Sequence, residues 1–309
     1  MKIKVLFVRS GNKGQHPITQ NQGDSLVDVG CEVTYFDVVG KGMFGYLKNI
    51  PLLRKQIKLD RPDVIHAHYS LCGFLSTLAF SGVPVVVSLM GSDVITSKVF
   101  YRMLLRIFGR LFWKKVIVKS EEMYQLLGLD EAMIVPNGVS KKDFFDMDKS
   151  QARMKLGWPE DDLIALFASD PERKEKNYDL FRRALLLLKQ QGLDIKEKHL
   201  FNLSNSEMML YYNASSVLVL TSFHEGSPNV IKEAMFCGCP FVSVRAGDVA
   251  HWANMSNGNV LVDYDDEQVA NTIKSVVTMN NKVENTQAMQ ELDAELIAGK
   301  LKSMYIGLL

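Results

Sequence analysis

The sequence predicts an α/β protein of two doubly wound, Rossmann-like domains that face each other across a cleft. Three observations carry the prediction. Short apolar, β-branched runs alternate with longer amphipathic stretches along the whole chain. The alternation occurs twice, once on each side of a polar, turn-rich segment. The 309 residues suffice for two hydrophobic cores of ordinary size.

In the first half, IKVLFV (3–8), EVTYFDV (32–38), DVIHAH (63–68), VPVVVSL (83–89) and KVIVKS (115–120) read as strands, mostly apolar on both faces as buried parallel strands are. The intervening stretches are long enough for crossover helices. In the second half, LIALFAS (163–169), SVLVLTS (216–222), PFVSVR (240–245) and NVLVDY (259–264) repeat the pattern, with helical stretches at 176–191, 229–237 and 266–278. Between the halves, PNGVSKKDFFDMDKS (136–150) has the composition of a hinge. The domains are expected at 1–140 and 141–285, with 286–309 a C-terminal helix packing back towards the first domain.

Composition narrows the class. With 47% hydrophobic and 23% charged residues the chain reads as soluble and globular, and no apolar run approaches the ~20 residues that span a bilayer. Neither a cleaved signal nor a transmembrane helix is expected, and a cytoplasmic location follows. The four cysteines form no C-x-x-C pair, so reduced, buried thiols are expected rather than a disulfide framework or a zinc site. The net charge of +1 conceals an asymmetry: residues 1–140 carry 17 Lys and Arg against 11 Asp and Glu, and the remainder 19 against 24. The first half is therefore the one suited to an anionic surface.

Doubly wound sheets bind ligands in strand-to-helix loops. The richest such loop is FHEGSPNVIKEAMFCGCP (223–240), which follows a buried-strand run and opens a helix near Pro228 that stops at Gly238. Free N–H groups around Asn229 and the helix dipole favour an anion there, and Ser227 is positioned to cap the helix. Glu225 and Glu233 border that point, and a carboxylate accepts well from paired hydroxyls. The combination suits a sugar nucleotide. Read from spacing alone, a solvated loop acid and an exposed helix acid fit equally well.

EGSPNVIKE, followed by AMFCGCPFVSV and GDV, resembles the E-x7-E signature of the retaining glycosyltransferases of family 4, which have the GT-B fold. GKGMFGYLKNI, PDVIHAHYSLCG, VPVVVSLMGSDV and IVPNGVSKKDF each resemble the family segment expected at that point, so the resemblance covers essentially the whole chain. It implies that Glu233 binds ribose hydroxyls and Glu225 meets the donor sugar, with Gly226, Ser227, Pro228 and Asn229 forming the donor turn. It also implies an Arg and a Lys in the loop after the first strand of the second half. Lys176 matches the Lys; where the family has Gly-Arg this chain has Ser169-Asp170, so Arg173 is the candidate for the Arg. Cations there would stabilise a departing diphosphate.

Further candidates lie in the first half. RSGNKGQHPITQNQGD (9–24) lacks the dinucleotide fingerprint, but its Gly11, Lys13 and Gly14 fall in the loop after the first strand, which the family uses near donor phosphate and acceptor. His66 and His68 share one strand face; a structural, hydrogen-bonded role suits His66, and acceptor or sugar contact suits His68. In SLMGSD the family often has His-Gly where this chain has Met90-Gly91, and Asp93 remains as a polar wall. The pairs Asp146/Asp148 and Asp263/Asp265 read as loop acids, and neither a metal nor a cofactor is expected beyond the nucleotide diphosphate sugar itself.

Lys98, Arg102, Arg106, Arg110 and Lys114 recur at i+4 in a segment without acids. On a helix they make a basic stripe able to hold the protein to an anionic membrane at ~1 kcal/mol per cation, or a solvated face on a core helix. The expected activity is transfer of a hexose-type unit from a nucleotide diphosphate sugar to a hydroxyl of a glycan or lipid-linked acceptor in surface polysaccharide synthesis, without nucleic acid. A non-catalytic nucleotide-sugar binder and a nucleotide-sugar epimerase of related fold are the alternatives.

Overall fold

The computed structural model describes every residue except 1, 13–16, 256–257, 280–282 and 284–285. The chain divides into two compact units, Met1–Gly138 with Ala294–Leu309, and Val139–Asp293.

The first unit runs β1 (Lys4–Ser10), α1 (Pro17–Asp28), β2 (Glu32–Val38), α2 (Gly42–Leu47), α3 (Ile50–Asp60), β3 (Val64–His68), α4 (Ser70–Leu78), β4 (Val85–Ser88), α5 (Val99–Leu111), β5 (Lys115–Val118), α6 (Glu121–Leu127) and β6 (Met133–Ile134). The second runs α7 (Lys149–Leu156), β7 (Leu163–Phe167), a 3-10 turn (Lys174–Lys176), α8 (Tyr178–Gln190), β8 (Ile195–His199), α9 (Asn205–Ala214), β9 (Val217–Leu220), α10 (Asn229–Phe236), β10 (Phe241–Val244), α11 (Val249–Ala253), β11 (Val260–Val262), α12 (Asp266–Met279) and α13 (Thr286–Glu291). The last helix, α14 (Ala294–Ile306), belongs to the first unit.

Both sheets are wholly parallel, in the orders β2-β1-β3-β4-β5-β6 and β11-β10-β9-β7-β8. Strand alternation places their apolar residues on two faces. In β1, Leu6 and Val8 enter one core with Leu53, Phe74 and Trp113, while Val5 and Phe7 enter another with Leu26, Ile297, Leu301 and Tyr305. The α14 residues thus complete one layer of the first unit. In the second unit Ile164 and Leu166 face Tyr212 and Phe236, and Ala165 and Phe167 face Phe181 and Ile273. The four cysteines are free and buried.

Two strands are absent from the sequence reading. β8 is IKEKH, an edge strand with only Ile195 buried, whose charged residues protect an exposed edge as the apolar rule cannot register. β6 is two residues long. The stretch expected as one helix from residue 286 is two helices, α13 in the second unit and α14 in the first.

The basic stripe is also divided. Lys98 precedes α5 and Lys114 lies beyond its end, leaving Arg102, Arg106 and Arg110 within it. Arg102 donates to the carbonyls of Ser97 (2.8 Å) and Val94 (3.2 Å), and Arg106 to that of Leu127. Two members of the expected membrane-facing stripe are therefore tied to backbone oxygens. The acids Asp148 and Asp265 accept from the backbone N–H of Gln151 and Gln268 at the starts of α7 and α12, as helix-start residues do.

Candidate functional site

In the second sheet the strand order reverses between β7 and β9, the point at which a doubly wound fold opens a crevice. The loops after those two strands carry Lys176 and Glu225. Thr221 donates to the carbonyls of Lys176 and Asn177 at 3.0 Å each, and the Phe223 N–H to that of Glu175 at 3.0 Å. These bonds tie the loops together. Lys176 Nζ then lies 2.6 Å from Glu225 Oε1, with each side chain only 13% exposed. A covered cation and a covered carboxylate in contact, at the reversal point, form the centre of the site.

Arg173 does not join them. Its guanidinium bonds Glu175 at 2.6 Å in an exposed part of the loop, a pairing favoured by their closeness in sequence. The expected Arg173 and Lys176 cluster is thus a single lysine beside Glu225.

Glu233 lies in α10, half-buried, where its Oε2 accepts a bond from the buried Tyr212 hydroxyl at 2.9 Å. Burial pushes its carboxyl up to about 7, opposed by the Tyr212 bond and the charge of Lys232. The reading of Glu233 as an exposed helix acid is corrected: the face of α10 that meets α9 carries it.

Ser227 is not the helix cap. The residue before α10 is Pro228, with no side-chain cap, because the Ser227 hydroxyl is engaged elsewhere. It donates to Asp248 Oδ2 at 2.6 Å and accepts from Lys232 Nζ. Lys232 is fully buried, 3.7 Å from Asp248 and 5.8 Å from the centre of the Trp252 ring. Buried charges are tolerated when paired and hydrogen-bonded, and this network meets that condition while fixing the Gly226-Ser227-Pro228 turn. Gly247, at φ +60°, completes the clamp: a Cβ there would fall 2.8 Å from the Gly226 carbonyl and 2.9 Å from that of Glu225. Sequence reasoning missed Lys232, although a lysine amid Val230, Ile231, Ala234 and Met235 was the available signal. It also missed Tyr212, whose distance in sequence from Glu233 gave none.

The first sheet reverses its order between β1 and β3, and a cavity of about 560 Å³ opens beside their C-terminal ends. Its mainly apolar lining includes Ile18, Tyr46, Tyr69 and Met90, with Arg9, Ser10, Asn12 and His68 contributing polar groups. Arg9 is held by Asp37 at 2.7 Å and lies over the Tyr35 ring. His68 is buried, stacked on His66 with ring centres 4.4 Å apart, and its Nε2 has no hydrogen-bond partner among the described residues. Burial and the charges of His66, Lys119 and Arg9 push it well below the usual histidine range, so a neutral imidazole meets the cavity. His66 serves the scaffold as expected, bonding Tyr305 Oη at 2.6 Å and Ser88 Oγ at 2.8 Å. Tyr69 holds φ +89° at the start of α4, a backbone strain that recurs at ligand sites.

Asp93 does not line this cavity. Its Oδ2 accepts from the Met90 N–H at 2.8 Å and its Oδ1 from the Ser70 N–H at 3.2 Å and from the Ser70 hydroxyl, so the expected polar wall is an internal brace. Burial pushes its carboxyl up to about 6 against those bonds. Gly11 donates to the Val38 carbonyl at 2.7 Å, between the lining residues Ser10 and Asn12. Lys13 and Gly14 lie outside the described residues. Among the described residues no cluster of three His, Cys, Asp or Glu could hold a metal ion.

Residues 5–138 match the family model for the glycosyl transferase 4-like domain and residues 191–291 that for glycosyl transferases group 1, together about three quarters of the chain. The first span is thus similar to a glycosyl transferase 4-like domain and the second to a glycosyl transferases group 1 domain. Among curated relatives, the chain is 25% identical over 217 residues to the putative teichuronic acid biosynthesis glycosyltransferase TuaC of Bacillus subtilis, covering 61% of this chain and 54% of TuaC. It is 24% identical over 271 residues to D-inositol 3-phosphate glycosyltransferase 1 of Catenulispora acidiphila, covering 70% of this chain and 64% of that protein. The chain thus spans between half and two thirds of the length of these relatives.

Its fold is the GT-B fold of solved structures. Sucrose-phosphate synthase from Thermosynechococcus elongatus superposes with a TM-score of 0.77 at 17% identity, covering 99% of both chains. Anabaena HepE in complex with UDP and glucose gives 0.76 at 16%, covering 99% of this chain and 100% of HepE. The UDP-GlcNAc 2-epimerase of Methanocaldococcus jannaschii gives 0.63 at 11%, covering 97% and 100%, so the fold alone does not separate transfer from epimerisation.

Proposed function

We propose that this chain transfers a sugar, of hexose type, from a nucleotide diphosphate sugar to a hydroxyl of a glycan or lipid-linked acceptor, with retention of anomeric configuration. The single observation that carries the reading is the 2.6 Å contact of Lys176 and Glu225 at the reversal point of the second sheet. In the same loop and helix stand the N-terminus of α10 and the half-buried Glu233. A diphosphate gains negative charge as its bond to the sugar breaks, and a fixed, little-exposed ammonium stabilises that charge more than it stabilises the ground state. Arrival of the diphosphate draws Lys176 partly from Glu225, and the freed carboxylate oxygen then accepts from donor-sugar hydroxyls. Glu233, held through Oε2 by Tyr212, offers Oε1 to the ribose. The backbone N–H groups at the start of α10 add the partial positive charge of a helix terminus.

Retention fits a same-face attack in which the acceptor hydroxyl bonds to the anomeric carbon as its bond to the diphosphate breaks and the leaving phosphate takes the acceptor proton. Arg173 contributes to this chemistry only by releasing Glu175. The neutral His68, whose Nε2 has no partner among the described residues, suits a hydroxyl of the acceptor. HepE is described with UDP-glucose and TuaC as a teichuronic acid biosynthesis glycosyltransferase, which supports a nucleotide sugar donor and a surface-polymer acceptor for this chain.

Incubation with UDP-, GDP- and ADP-sugars, followed by NMR of the sugar, tests the reading. Release of free sugar with the donor's anomeric configuration supports transfer. Conversion at the sugar C2 without cleavage would assign an epimerase, and binding without either change a non-catalytic nucleotide-sugar protein.

A further inference from the structure

Helix α5 is apolar on two faces, and only one of them is covered. Leu105 is buried, while Tyr101 and Phe108 meet Phe74 edge-on with ring centres 6.2 and 4.6 Å apart. At 100° per residue, Val99, Phe100, Met103, Ile107 and Leu111 fall on the opposite side. They are 41 to 75% exposed. A soluble helix normally turns polar residues outwards, and a helix apolar on every side belongs against an apolar phase.

Charge identifies that phase. Between Asp93 and Glu121 the sequence holds seven Lys and Arg and no acid. Lys98 and Lys114 stand exposed just beyond the two ends of α5, and Arg110 lies exposed on the apolar side. Arg102 and Arg106, though hydrogen-bonded to carbonyls, keep their charge along one edge. A second copy of this chain would bring like charges together across the face. An anionic bilayer satisfies both features, accepting apolar side chains at its acyl boundary and cations among its headgroups. At 13 residues α5 is too short to span a membrane, and no described helix is long and apolar enough to cross one. The geometry is that of a helix lying in the interface.

We propose that α5 is an interfacial membrane anchor that inserts Phe100, Met103, Ile107 and Leu111 into anionic bilayers with Lys98, Arg110 and Lys114 at the headgroups. The proposal is independent of the transfer reaction, since vesicle binding is read without substrate. It differs from electrostatic attraction by a basic stripe in requiring the apolar residues.

Co-sedimentation of the full chain with vesicles of phosphatidylglycerol and phosphatidylcholine, against phosphatidylcholine alone, tests it. The wild type is expected on the anionic vesicles, with binding that weakens but persists as salt is raised. Phe100→Ser combined with Leu111→Ser, both at exposed positions and checked by an unchanged melting temperature, is expected to lower partitioning at least tenfold, which is about 1.4 kcal/mol. Arg110→Gln with Lys114→Gln is expected to lower it to a lesser degree. Equal partitioning of the serine variant and the wild type overturns the proposal, as does failure of the wild type to bind anionic vesicles. A concentration-dependent dimer abolished by the serine substitutions also overturns it, by giving the face to a second copy.

Discussion

The Tyr212 hydroxyl donates to Oε2 of Glu233 at 2.9 Å, so a buried phenol from α9 sets the direction of the carboxylate presented by α10. The bond stabilises the ionised form, yet burial wins and the carboxyl is pushed up to about 7. Glu233 therefore changes charge near neutrality, and two predictions follow from the sign of that change.

Ribose hydroxyls donate to an ionised carboxylate, so binding selects the deprotonated form and lowers its pKa. Nucleotide affinity should be full above pH about 7 and fall, by up to about tenfold per pH unit, below it. Calorimetry at several pH values in buffers of different ionisation enthalpy should also show proton release on binding. A pH-independent affinity would exclude Glu233 from the ribose contact.

In the unliganded protein the linkage runs the other way. The folded-state pKa exceeds that of an unfolded glutamate, so the folded chain binds more protons between pH 4.5 and about 7. Stability is lost as pH rises through that window, and the deficit is complete above it. Glu233→Gln should therefore stabilise the free protein at pH 8 by about 1–3 kcal/mol, with a smaller gain at pH 5, while weakening nucleotide binding. Denaturant melts at the two pH values measure it; an equal effect at both would mean that the charge is not the source.

Lys176 and Arg173 should differ sharply. Lys176→Met removes the covered cation and strands Glu225, with an expected loss of about 10²–10³ in turnover. Arg173→Ala removes an exposed group already engaged with Glu175, with an expected loss below about tenfold. Donor-hydrolysis rates for the two variants provide the comparison, and similar losses would return Arg173 to the reacting phosphate.

Lys232→Met leaves Asp248 buried and unpaired, which should cost about 3–5 kcal/mol of stability. Adding Asp248→Asn should recover much of that loss. Urea unfolding of the single and double variants checks the coupling, and additive effects would break the Ser227-Lys232-Asp248 network into independent parts.

Much of this molecule is legible in its sequence because a buried parallel strand must be apolar on both faces. That rule located nine of the eleven strands among the described residues and failed at IKEKH, an edge strand built to repel partners, and at the two-residue β6. The loop reading directed attention to Glu225 and Glu233, and the family resemblance to Lys176, because the ligand-binding ends of a doubly wound fold are fixed by topology. What stayed hidden was partnership. Nothing in the spacing of residues says that Ser227 turns from α10 to Asp248, that Tyr212 finds Glu233, or that Asp93 spends both oxygens on Ser70 and Met90. The i+4 periodicity placed Arg102 and Arg106 on one helix correctly, but could not show that carbonyls from neighbouring segments take their donors. Those are contacts between elements, set by packing angles to which local periodicity is blind.

The placement of α14 bears on how the chain is made. Ile297, Leu301 and Tyr305 fill a core whose other walls, Ile3, Val5, Phe7 and Leu26, leave the ribosome before any of the second unit. The first unit cannot close that layer until the second has been synthesised entire. The second unit is an uninterrupted segment and can fold as it emerges. During vectorial synthesis the order of completion is thus inverted with respect to the order of translation, and the first sheet waits, with His66 lacking its Tyr305 partner, for α14.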